Sequence, residues 1–185
     1  MKKVLVYTLV SLFFVGFQTA CKKKKQESIV IEYPIFFADM MEIDTSDVDS
    51  LIIRETFDFP TQLDGELAKN NTNKSRIKSA RLTALRVQML DVDFNDTLTH
   101  SDFGHLSEIM IDIKKDPLPQ RQVAYKLIPN QRTKAVNFNL EDVELKDYLQ
   151  QDVFRMVFKY RKRKLMPHDL PFYIAGTFKI IADPL

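Results

Sequence analysis

A chain of 185 residues has room for one ordinary domain, and its balance of 45% hydrophobic to 28% charged residues belongs to a folded globular protein, not a disordered one. Only four glycines are present, which excludes the phosphate loops and dinucleotide fingerprints that need two or three at close spacing. The formal charge of +2 sits at the N-terminus: 27 basic residues less Lys2, Lys3 and Lys22 to Lys25 leaves 21 against 25 acidic, a net of −4 that argues against a nucleic-acid partner.

Lys2 and Lys3 precede a mostly apolar run of fourteen residues from Val4 to Phe17, the architecture of a cleavable signal peptide. As a helix the run reaches about 21 Å, short of the roughly 30 Å hydrocarbon core that a permanent span must cross. Gln18-Thr19-Ala20-Cys21 then sets small residues before the only cysteine in the chain. This segment resembles the lipobox of bacterial lipoproteins, with Gln18 standing where an apolar residue is usual. The resemblance implies that residues 1–20 are removed and that Cys21 receives a diacylglycerol on its sulfur and becomes the new N-terminus. Residues 21–27 become a lipidated, lysine-rich tether, in which each lysine beside an anionic surface adds about 1 kcal/mol of attraction. Lysine rather than aspartate at position 22 points to the outer membrane.

Residues 28–185 are expected to form one domain. Residues 28–37, rich in β-branched and aromatic types but broken by Pro34, read as an edge strand, because proline removes a ladder donor. The acidic stretch 39–49 reads as a connection, and residues 51–59 as a second strand stopped by Pro60. Thr61 and Asp64 have capping-box spacing, and Leu63 and Leu67 share a face, so residues 62–69 predict two helical turns. Residues 77–94 predict a long strand with a bulge near Leu90, with a helix over 77–90 as the alternative. Alternating patterns follow at 106–114, 123–128 and 135–140, the last with Val136, Phe138 and Leu140 on one side. A short helix is expected within 142–150, then strands at 153–160 and 172–182 joined by a basic loop over 161–171. The sum is an all-β sandwich of about seven or eight mostly antiparallel strands with one or two short helices. By strand count it fits an immunoglobulin-like arrangement, without that fold's cysteine and tryptophan hallmarks.

Few residues carry a chemical signal. Asp91, Asp93, Asn95, Asp96 and Asp102 partly follow a calcium-loop spacing, but Asp96 stands where the sharp turn needs glycine. His100, Asp102 and His105 could ligate a metal or serve a hydrolase, although their spacing matches no fixed motif. His168 stands alone near two prolines, and no Gly-x-Ser-x-Gly nucleophile elbow occurs. The densest charge, Lys159, Arg161, Lys162, Arg163 and Lys164, reads as a solvated hairpin end, or as a contact for anionic head groups or an acidic polymer. These features favour a membrane-anchored envelope lipoprotein that binds or scaffolds another envelope component without enzymatic activity, cofactor or metal. The competing expectation is an envelope hydrolase or metal-binding protein built on His100, Asp102 and His105.

Overall fold

A computed structural model describes residues 27–41, 48–90, 102–166 and 169–185. In chain order the strands are β1 (Ile29–Met41), β2 (Leu51–Pro60), β3 (Ile77–Met89), β4 (Leu106–Lys115), β5 (Leu118–Leu127), β6 (Ala135–Asn137), β7 (Asn139–Leu140), β8 (Val153–Lys162) and β9 (Leu170–Ala182). Among the described residues two short α-helices interrupt them, α1 (Leu63–Lys69) and α2 (Lys146–Leu149). A four-stranded sheet has the order β1-β9-β3-β6 and a five-stranded sheet the order β2-β8-β4-β5-β7, and every pairing is antiparallel.

The sandwich expectation holds, but its connectivity is not that of an immunoglobulin domain. The chain crosses between sheets from β1 to β2, β2 to β3 and β3 to β4, turns back as the β4–β5 hairpin, and crosses again before closing with β9 between β1 and β3. Two Greek keys wound together in this order make a jelly roll. The strands form because their sequences alternate: along β9, Phe172, Ile174, Phe178 and Ile180 are buried while Tyr173, Ala175, Thr177 and Ile181 lie on the other face.

The inner faces pack as one continuous core. Phe37 of the first sheet meets Phe59 of the second at 5.6 Å between ring centroids, Phe59 meets Phe154 at 5.1 Å, and Phe154 returns to Phe178 edge-on at 6.4 Å. Each contact adds about 0.5–1.5 kcal/mol to the burial of the rings. In β9, Gly176 lets the flanking strands close over it, since a Cβ there would stand 3.1 Å from Ile35 and Leu85 side-chain carbons.

Several local expectations change. Helix α1 starts at Leu63 with Gln62 in the left-handed region at φ 44°, and the Thr61 hydroxyl donates to Gln151 O at 3.0 Å instead of closing a capping box. Strand β3 excludes the helical alternative and carries its bulges between Ile77 and Ser79 and between Leu82 and Ala84. The expected strand ran to residue 94 with a bulge near Leu90; β3 ends at Met89, and residues 91–94 lie outside the described residues. Residues 135–140 are not one strand: β6 pairs with β3 in one sheet and β7 with β5 in the other, and the chain changes sheet at the buried Phe138.

Candidate functional site

Cys21, His100, His168 and the carboxylates Asp91, Asp93 and Asp96 lie outside the described residues, so three locations carry the account: the turn holding Asp102 and His105, the basic run, and the outer sheet faces. The turn before β4 consumes the chemistry of its own side chains. Asp102 is buried, and its Oδ1 accepts from the amides of Gly104 at 2.6 Å and Thr133 at 3.3 Å. His105 completes a capping box, its Nδ1 lying 3.2 Å from the Asp102 amide. Both groups are therefore spent on closing a short helical turn. Gly104 is required there, because a Cβ would stand 2.2 Å from the Gln131 carbonyl oxygen. Arg163, which the sequence offered only as part of a charged run, locks the turn by donating to Gly104 O at 3.3 Å and Ile128 O at 2.7 Å. Among the described residues, no group of three or more His, Cys, Asp or Glu could hold a metal ion.

The basic run is not an open hairpin loop. Lys159, Arg161 and Lys162 belong to β8, and Lys162 is fully buried. Lys159 pairs with the buried Asp112 and Arg161 with Glu108, both across to β4. The run ends beside Leu106, opposite the end of the sandwich where β1 begins against Ala182. With β1 spanning thirteen residues, the two ends stand about 40 Å apart.

Sequence alternation identified both faces of each strand but not which outer face would stay open. On the five-stranded sheet the outer face is crossed by the Asp112–Lys159 and Glu108–Arg161 pairs, which confine the exposed Leu51, Ile53, Tyr125 and Leu127 to its margins. The outer face of the four-stranded sheet has an apolar centre. Strand register sets its residues in rows: Glu32–Lys179–Arg81, Pro34–Thr177–Ala84, Phe36–Ala175–Arg86–Asn137, and Ala38–Tyr173–Gln88. Small side chains at Ala84, Ala175 and Thr177 leave a trough of about 600 Å³, walled by Pro34 and Phe36 on one side and by Arg86, Asn137 and Leu140 on the other. Phe36 is 65% exposed and leans on Tyr173 at 5.2 Å. Arg86 donates to Gln88 at 2.9 Å. The trough thus sets an exposed aromatic beside small side chains, with a guanidinium and an amide on its far rim.

No family model and no curated protein matches the chain. Among solved structures it resembles the decameric BFDV capsid protein, with 10% identity over 84% of this chain and 99% of that one at a TM-score of 0.38. It also resembles the Desmodium yellow mottle tymovirus, with 9% identity over 85% and 90% at a TM-score of 0.28. Likenesses at this depth carry no inference about what the chain binds, and its jelly-roll architecture rests on its own strand order.

Proposed function

We propose that this protein is a membrane-anchored envelope lipoprotein, exported by its leader, acylated at Cys21, and acting as a non-enzymatic binding or scaffolding module through the outer face of the β1-β9-β3-β6 sheet. The observation that carries the binding role is the open trough beside Phe36, a surface that a protein with no partner would gain by covering with polar side chains. The placement of Asp102 and His105 supports a non-catalytic reading, since their hydrogen bonds hold a turn. The leader, the small residues before Cys21 and the lysine tract after it support the anchor.

The test uses the full chain expressed in a bacterial envelope. Wild type partitions into detergent with the mass of a chain that begins at an acylated Cys21, whereas Cys21→Ala loses the acyl mass. An intact leader or an unmodified sulfur overturns the anchor. Phe36→Glu, which alters only an exposed position, abolishes co-purification of the partner, and retention of every partner by that variant overturns the binding face.

A further inference from the structure

The chain passes from β5 of one sheet to β6 of the other through residues 128–134, and the passage leaves a hollow of about 420 Å³ beside the two strands. Its apolar wall is the buried pair Ile128 and Val136. Lys126, Arg132 and Lys134 stand around it with the side-chain amides of Gln131 and Asn137, and no acidic residue is among the described residues that line it. We propose that this hollow binds a dianionic phosphate group; it shares only Asn137 with the trough and does not depend on that surface. Like charges gathered around one space repel, and an anion seated among them turns the repulsion into attraction.

Lys126 stands on the core side of β5. It pairs in register with the buried Ile109 and lies two residues from the buried Ala124, a place that strand alternation reserves for apolar side chains. An inward charge also guards an open sheet edge, but one lysine suffices for that, and Arg132 and Lys134 lie outside β5. The loop that carries them is fixed in advance. The Ile128 amide donates to Ser107 O at 2.9 Å, the Phe103 amide to Thr133 O at 3.0 Å and the Met89 amide to Lys134 O at 2.9 Å, while Arg163 donates to Ile128 O at 2.7 Å. Arg132 Nε lies 3.8 Å from the buried Asp102 Oδ2, and the Arg132 side chain remains 44% exposed. A site held this way loses little freedom on binding. Three cations with neutral amides suit a group with two charges and several oxygens better than a single carboxylate, since lysine meets phosphate as a point charge and arginine as a planar fork. The volume is that of a small-molecule site.

The experiment is calorimetric titration of the full chain, in neutral detergent, with inorganic phosphate at an ionic strength held constant by chloride. Wild type binds saturably at one site with a Kd of about 1 mM or tighter. Lys126→Gln with Lys134→Gln, which keeps the Arg132–Asp102 pair, weakens binding at least ten-fold and leaves the thermal midpoint without phosphate unchanged. Lys69→Gln with Lys146→Gln, which removes the same charge away from the hollow, leaves binding unchanged. Glucose 6-phosphate and glycerol 3-phosphate are titrated in the same way: tighter binding of the first identifies a phosphorylated sugar, tighter binding of the second a lipid head group, and equal binding of all three a site that reads the phosphate alone. Nuclear magnetic resonance of the wild type needs no variant to fold, and there phosphate shifts the backbone amides of Lys126 and of residues 131–134 but not those of Ala84 and Thr177 in the trough. Absence of saturable binding by all three probes overturns the proposal. So does equal weakening by the two double variants, binding indifferent to Lys126→Gln with Lys134→Gln, or amide shifts confined to residues outside the hollow.

Discussion

Removing the Asp102 carboxylate leaves the buried amide of Gly104 and the partly buried amide of Thr133 without their acceptor. Asp102→Ala is therefore expected to destabilise the fold by about 1–3 kcal/mol, the cost of orphaning buried donors, while Asp102→Asn, which keeps one oxygen, costs less. Urea unfolding of the two variants checks the order. Gly104→Ala is expected to cost about as much as Asp102→Ala, because the clashing atom is a backbone oxygen at 2.2 Å and cannot rotate away. A second carboxylate has a pH signature. Burial pushes the Glu144 carboxyl up, but the Ala80 amide, the Ser79 hydroxyl, the Lys146 amide and Arg81 together outweigh it and hold the group below its ordinary value of 4.5. Its folded state thus binds a proton less readily than its unfolded state, so its contribution is complete above that value and disappears as the pH falls through the lower folded one. The stability difference between wild type and Glu144→Gln is expected to be constant above about pH 5 and to shrink below 4.5, read from urea midpoints at stepped pH.

At the scale of elements, β4 and β8 are tied on their outer face by a buried carboxylate. Asp112 Oδ2 accepts from both Lys159 and Gln120, while Oδ1 is buried without a partner among the described residues. Lys159→Met strands that carboxylate and is expected to cost about 3 kcal/mol, toward the low end for a broken buried pair because the lysine is 22% exposed. Lys159→Met with Asp112→Leu recovers most of the loss, and a double-mutant cycle in urea measures the coupling. The strands themselves were legible because period-two burial is written directly into residues such as Ile109, Ile111 and Ile113. Less legible was the sheet to which each strand belongs: Val136, Phe138 and Leu140 alternate as one strand would, yet the chain changes sheets between them, since both sheets bury the same face of the polypeptide. The Thr61 cap failed for a related reason. Tertiary carbonyls at Gln151 and Asp152 compete for its hydroxyl, and no local spacing encodes them. Of the candidate site, Asp102 and His105 were visible as residue types, but their use as a cap was not, and the trough followed from small residues on two strands distant in sequence.

For the whole molecule, the consequential feature is that the last strand is central. β9 pairs with β1 along its full length from Ile29↔Ala182 to Met41↔Leu170 and on its other edge with β3, so the four-stranded sheet closes only when the C-terminal residues arrive. Phe172, Ile174, Phe178 and Ile180 bring its share of the core, each worth about 1.5–3 kcal/mol of burial, so their loss together exceeds the stability of an ordinary domain at its lower end. A chain ending at residue 169 is therefore expected to show no cooperative unfolding transition and to be digested at protease levels the intact chain survives. Far-ultraviolet circular dichroism with limited proteolysis decides it, and a truncated chain that still unfolds cooperatively would mean that the second sheet stabilises itself alone. The intact chain, whose decisive pairings join residues more than a hundred apart, is expected to refold on the millisecond-to-second scale of non-local β topologies, measurable by stopped-flow fluorescence of its tyrosines.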